Sequence, residues 1–215
     1  MTTTKTNNPK TVRRENILQA AAALFGRIGF DGTSFSAVAD SAGVQKSLVQ
    51  YHFENKDILW RETVAFVWQQ RNAALPRYLD DINLQKMTAE NPKQMIRDLC
   101  RTLLQFTFDH PEWVRIMFQE SSTPGARLDW MVQEFIRTDF TEGQAMIELG
   151  QNQNLLPKVN SMDLLHILSG ALIYLVNVAP ITERVLGKNP NSKDYIEQHI
   201  DTLIRILSAE AQQCI

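Results

Sequence analysis

Between Phe35 and Phe53 the chain reads FSAVADSAGVQKSLVQYHF, and the second half of this stretch collects side chains suited to a groove of double-stranded DNA. Gln45 and Gln50 carry amides, and a glutamine amide pairs well with the edge of adenine in the major groove. Lys46, and Lys56 further on, can neutralise phosphates, as can Arg13 or Arg14 from the start of the first helix. Each such contact releases counterions, so this mode of binding falls steeply as salt rises. Ser47 sits on the same outer side. Leu48, if it faces the groove, packs on a thymine methyl. Val49 and Phe53 are expected to be core anchors that fix the helix.

These residues need a helix to present them and a sharp turn to aim it. Val38, Ala39 and Ala42 are small or apolar at helical spacing, which predicts a short helix lying close to its neighbours. Gly43 ends it, because glycine enters the left-handed cap region without a steric penalty. Val44 plugs the corner and the second helix follows. Two short helices joined by a glycine turn form the helix-turn-helix unit, whose second helix can enter the major groove. A first helix is expected from Val12 to Ile28, with Ile17, Ala20, Ala21, Leu24, Phe25 and Ile28 on one apolar face and Gly29 as its cap. Thr33 or Ser34 is the expected N-cap of the next helix. Asn55 is expected to cap a helix that continues towards Pro76.

From about Arg13 to Leu59 the sequence resembles the DNA-binding domain of the tetracycline-repressor (TetR) family of transcriptional regulators. The resemblance rests on Ile17, Ala20, Ala21, Leu24 and Phe25, then Gly29-Phe30 and Thr33-Ser34. It continues through Val38-Ala39, Ala42-Gly43-Val44, Lys46, Tyr51-His52-Phe53, Lys56 and Leu59. It implies phosphate contacts from Thr33 or Ser34, Tyr51, His52 and Lys56. Two positions depart from the family pattern: Gln50 stands where tyrosine is frequent, and Leu48 where a small residue is usual. Both lie on the recognition helix, so base preferences of relatives do not transfer. DNA-contacting residues are therefore expected among Thr33, Ser34, Gln45, Lys46, Ser47, Leu48, Gln50, Tyr51, His52 and Lys56.

The 215 residues carry a net charge of −2, which argues against a protein that coats nucleic acid. The distribution is more informative. In residues 1–60 seven bases (Lys5, Lys10, Arg13, Arg14, Arg27, Lys46, Lys56) face five acids (Glu15, Asp31, Asp40, Glu54, Asp57), a net +2 that leaves −4 for the rest. A basic end on an acidic body fits a protein that presents one end to phosphate. The first ten residues have the composition of a solvated, disordered tail; the alternative is a basic arm reaching a neighbouring groove. No secretory leader and no stretch of about 18 continuous apolar residues is evident, so a cytoplasmic protein without a membrane partner is expected. Cys100 and Cys214 lack paired metal-ligand spacing and are expected to be a buried thiol and a tail thiol.

The remainder reads as helices throughout. Asn91-Pro92 opens one through Met95, Leu99, Leu103 and Phe106 to about Asp109. Pro111 restarts the chain, and Thr123-Pro124-Gly125 breaks it again. A long helix is expected from about Ala126 to Leu149. Ser161 is expected to cap the most apolar helix, closed by Pro180, and Ser192 to cap the last. The predicted fold is all-α: an N-terminal three-helix helix-turn-helix DNA-binding head at 11–56, after a basic tail at 1–10, and a helical ligand-binding and dimerisation body at 57–215.

One head makes few base contacts, so specific recognition of a palindromic operator calls for a two-fold homodimer. Residues 161–179 and 192–210 are the expected interface, since the first is apolar on nearly every side and carries Ser169-Gly170-Ala171 for close helix approach. The alternative is a helix wrapped by its own chain. The resemblance further implies an effector pocket in the body. Its candidate lining is Trp68, Phe106, Trp113, Phe118, Trp130, Phe135, His166 and Tyr174, which suits a hydrophobic or aromatic small molecule, although most aromatics at helical spacing are core. No phosphate loop, dinucleotide-binding glycine pattern, HExxH or G-x-S-x-G is present, and the histidines are scattered. No catalytic residue, cofactor or metal is expected. The function expected is a ligand-responsive transcriptional regulator, a repressor before an activator. The alternative from another class is a helical scaffold that no longer binds DNA.

Overall fold

The structure is a computed structural model that describes residues 9–75 and 92–209. Its elements are α1 (Pro9–Gly32), α2 (Phe35–Ala42), α3 (Lys46–His52), α4 (Lys56–Ala74), α5 (Pro92–Asp109) and α6 (Glu112–Ser122). They continue with α7 (Ala126–Met131), a π-helical turn (Val132–Ile136), α8 (Arg137–Asn152), α9 (Ser161–Leu186) and α10 (Lys193–Ala209). No strand occurs among the described residues. The chain forms two compact units. The first runs to Arg71 and takes in Glu112–Gly125; the second comprises Asn72–Pro111 and the chain from Ala126 onward.

The first unit is built on the apolar face of α1. Ile17, Leu18, Ala21, Ala22, Leu24 and Phe25 are buried, as are Val38, Ala39, Val49 and Phe53 of the turn-linked pair and Leu59, Trp60, Val64 and Trp68 of α4. Ile28, expected on that face, is exposed. Regular helix stops at Gly29, whose φ of 72° and ψ of 179° interrupt α1 before its last turn, so Ile28 is the last residue of the regular stretch, at its end. The unit is larger than the 11–56 segment, because α6 packs along α1. Gly26 permits this: a Cβ there would stand 3.2 Å from Arg115 Cβ and 3.7 Å from the Glu112 carbonyl oxygen.

In the second unit α9 packs on α5 and α8, and α10 on α5. The core joins Cys100 and Leu104 to Ile147, Leu164, Leu172, Leu175, Val176, Ile196, Ile200, Leu203 and Leu207. Burial pushes the Cys100 thiol up to about 11, so it stays protonated and unreactive at neutral pH. Along the seam of α5 and α10, Arg97 pairs with Asp201 and Arg101 with Glu197. The Arg101 guanidinium holds the Glu197 carboxyl below its usual range.

Four local expectations are corrected. Pro180 does not close α9, which runs on to a left-handed cap at Gly187. One missing N–H in 26 residues interrupts a single backbone bond, and Arg184 Nη1 donates back to the Pro180 carbonyl at 2.8 Å. The cap of α9 is Asn160, whose Oδ1 accepts from the Met162 and Asp163 amides at 3.0 Å. Ser161 instead donates to Glu148 Oε1 at 2.9 Å. The helix expected from Ala126 to Leu149 is interrupted by the π-helical turn. Finally, Ser161–Leu186 is by length and composition alone apolar enough to cross a membrane, its most apolar 18 residues having a mean hydropathy of 1.9. His166, Ser169, Gly170 and Asn177 break the apolar run, but the aliphatic residues around them outweigh these four and no Asp, Glu, Lys or Arg falls between Leu164 and Ile181. Residues 1–8 of the N-terminal tail and Cys214 lie outside the described residues, while Pro9 and Lys10 belong to α1.

Candidate nucleic-acid interface

The turn between α2 and α3 is closed by backbone alone. Gly43 takes φ 64° and ψ 35°, a left-handed conformation in which a side chain is strained. A Cβ there would meet nothing within 4 Å, so the need for glycine is conformational. The Val44 amide then donates to the Ala39 carbonyl at 3.0 Å. At the other end of α2, Ser34 Oγ accepts from the Ala37 amide at 3.2 Å. Asn55 Oδ1 caps α4 by accepting from the Ile58 amide at 2.9 Å.

Val49 and Phe53 are both fully buried, so α3 is pinned along one side. Its other side is left to solvent. Gln45, Lys46, Ser47, Gln50 and Tyr51 are exposed, and Leu48 and His52 are half-buried. Gln45 occupies the N-cap position without spending its side chain on a capping bond, so its amide is available for other partners. The Tyr51 ring meets His52 edge-on at 5.3 Å and is otherwise 71% exposed. An open depression runs beside the helix, lined by Arg13, Gly43, Val44, Gln45, Ser47, Leu48 and Tyr51.

Lys56 lies over the Phe30 ring at 4.3 Å and reaches the Asp31 carbonyl oxygen at 3.4 Å, beside the start of α2. Thr33 departs from expectation. It is 2% exposed, and its hydroxyl donates to the Gly29 carbonyl at 2.8 Å. That hydroxyl braces the break in α1 and is not presented to a phosphate; of the pair, only Ser34 is exposed.

The structure also separates Arg13 from Arg14, which sequence alone left as alternatives. Arg14 is paired with Glu62 of α4 and lies 5.4 Å from the Phe53 ring centre, tying α1, α3 and α4 together. Arg13 is exposed and lines the depression beside the recognition helix. Arg13→Ala is therefore expected to weaken DNA binding and flatten the salt dependence by about one counterion. Arg14→Ala is expected to cost roughly 1 kcal/mol of stability through a half-exposed ion pair and a cation–π contact. Titrations at several salt concentrations, paired with melting curves, check both; an unchanged salt slope for Arg13→Ala would remove it from the interface.

The eight residues expected to line an effector pocket do not converge within either unit. Trp68 and Trp113 are buried core of the first unit, packed edge-on at 6.4 Å, while Phe118 is 47% exposed. In the second unit Phe106 packs on His110 at 4.9 Å and Trp130 on Phe135 at 5.5 Å. His166 is exposed against the Phe140 ring, and Tyr174 is 65% exposed. A cavity lined by Lys93, Ile96, Leu155, Leu156, Ile204 and Leu207 has about 10 Å³, room for one water at most. None of the eight lines it.

A glycine-turned helix pair, seated on a buried core and showing a polar, cation-flanked second helix, defines a helix-turn-helix DNA-binding protein. Residues 17–63 match the family described as bacterial regulatory proteins, tetR family. The HTH-type transcriptional regulator RutR of Escherichia coli (strain K12) is 22% identical over 206 residues, covering 96% of this chain and 93% of RutR. The biofilm operon icaADBC HTH-type negative transcriptional regulator IcaR of Staphylococcus aureus (strain Newman) is 29% identical over 112 residues, 52% of this chain and 55% of IcaR. Among solved structures, AibR in complex with isovaleryl coenzyme A and operator DNA superposes with a TM-score of 0.67 at 17% identity, covering 91% of this chain and 97% of AibR.

Proposed function

We propose that the protein is a homodimeric, ligand-responsive transcriptional repressor that binds a palindromic operator through α2 and α3. The observation that carries this is the solvent-facing side of α3: Gln45, Lys46, Ser47, Gln50 and Tyr51 project from a helix fixed by Val49 and Phe53. Amides read base edges there, while Lys46, Arg13, Tyr51, Ser34 and Lys56 address the backbone. IcaR, a negative regulator, supports the sign of regulation. AibR, solved with both a small molecule and operator DNA, supports release by an effector. A ligand achieves release only through its difference in affinity between two arrangements of the heads. An apolar body favours a hydrophobic or aromatic effector.

The dimer reading is supported by α9. Leu164, Leu172, Leu175 and Val176 are buried on one side, while Ile167, Tyr174, Ile181 and Val185 are exposed on another. The alternative, a helix wrapped by its own chain, does not fit these exposures. Lipid is disfavoured as the cover. The neighbouring helices expose Lys93, Gln94, Asp98 and Gln105 on α5, and Lys193, Asp194, Gln198 and Arg205 on α10, which a bilayer core would not accept. A second copy covers the face without burying those charges, and a regulator of this kind works in the cytoplasm with its DNA.

Selection of bound fragments from random duplex DNA at two salt concentrations tests the whole reading. Recovery of an inverted repeat, with affinity falling as salt rises, is the expected result. Absence of binding at both concentrations would leave a helical scaffold as the better description.

A further inference from the structure

We infer that each half-site is read at one position through the 5-methyl group of thymine, and that Leu48 is the residue that reads it. This rests on the DNA-binding reading above and adds a base preference to it. Leu48 is half-buried and faces the depression beside α3, next to the half-buried Val44 and to Gly43. The other apolar side chains of the helix end, Val49 and Phe53, are fully buried in the core. Leu48 and Val44 are thus the apolar groups in a depression otherwise edged by Arg13, Gln45, Ser47 and Tyr51.

A leucine can neither donate nor accept a hydrogen bond. Opposite a purine or a cytosine it would leave a polar base edge unpaired, which is costly once water is excluded. The one apolar group the major groove offers is the C5-methyl of thymine. Leu48 lies in the first turn of α3, the part of a recognition helix that contacts base edges. Gln45 precedes it by three residues, on the same helix face. A methyl contact and an adenine-reading amide then fall on neighbouring base pairs. Arg13 and Tyr51, at the rim of the same depression, hold the flanking phosphates and fix the register.

The test uses the full-length wild-type protein and the operator recovered by selection. Thymines are replaced by deoxyuridine, one symmetric pair of positions at a time, which removes the methyl and leaves base pairing intact. One such pair is expected to weaken binding about fourfold per half-site, the value of one buried methyl, and so about fifteenfold for the palindrome. Leu48→Ala is expected to bind the thymine and uracil operators equally. If wild type binds every uracil operator as tightly as the parent, the inference falls while the DNA-binding reading stands. If Leu48→Ala keeps the full uracil penalty, another residue reads the methyl and the assignment to Leu48 falls. If wild type binds no duplex at all, both readings fall together. The wild-type comparison needs no variant to fold.

Discussion

The double substitution Tyr174→Asp with Ile181→Asp should convert a dimer into a monomer at micromolar concentration and lower operator affinity by at least a hundredfold. Ile167, Tyr174 and Ile181 follow one another at intervals of seven residues and are 62%, 65% and 62% exposed. A seven-residue spacing drifts only about 20° per step around an ideal helix, so the three form one seam. Val185, four residues past Ile181 and 74% exposed, extends it. Two carboxylates placed in that seam would have to be desolvated opposite their own symmetry mates, a like-charge burial no partner offsets. DNA affinity falls with the dimer because the second head then binds as a separate molecule. Linked heads share an effective concentration that raises avidity by roughly 10² to 10⁴. Both positions are solvent-exposed within the chain, so the helical circular dichroism and the melting of the monomer should change little. Sedimentation and an operator titration read the outcome. A variant that stays dimeric places the interface elsewhere, and a wild type that sediments as a monomer removes the dimer altogether.

The parts of the fold legible in the sequence are those in which a local rule has no competitor. Gly43 had to end α2, and it does so at φ 64°. Asn55 caps α4, and Ser192 lies within 3.4 Å of the Tyr195 amide it was expected to accept from. The recognition helix was legible for the same reason: its periodicity separates Val49 and Phe53 from the polar side. The less legible features depend on contacts between distant segments. Nothing near Gly26 announces that α6, some ninety positions away, will pack on it. Thr33 and Ser34 are equivalent as caps, and only the break at Gly29 decides which hydroxyl is used internally. Arg13 and Arg14 are likewise equivalent until Glu62 and Phe53 claim the second. Pro180 misled because a proline rule applies to an isolated helix, whereas α9 is held on both sides of that residue, by its core face before and by its capped end after. The aromatic residues were the hardest to sort, since hydrophobicity marks core, interface and pocket alike.

Trp68 shows how far apart those roles lie. It is 1% exposed, meets Trp113 edge-on at 6.4 Å, and has the Arg71 guanidinium 5.5 Å from its ring centre. Arg71 is itself 8% exposed and lies 5.2 Å from the Trp113 ring. Trp68→Ala should therefore cost about 3–5 kcal/mol, through the lost burial and the cavity left behind. The loss also strips one aromatic face from a buried cation. At about 2–4 °C per kcal/mol for a chain of this size, melting should drop by roughly 10 °C. Phe118, from the same unit but 47% exposed, supplies the comparison: Phe118→Ala should shift stability by no more than about 0.5 kcal/mol. Denaturant and thermal melts of the two variants and wild type decide the matter. If Trp68→Ala melts with wild type, Trp68 is not a structural residue, and a loss of effector affinity at unchanged stability would return it to the pocket. If it melts early and Phe118→Ala does not, the tryptophan pair and its arginine are the joint that fastens α4 to α6. An effector site, which the proposed function requires, would then lie among other side chains.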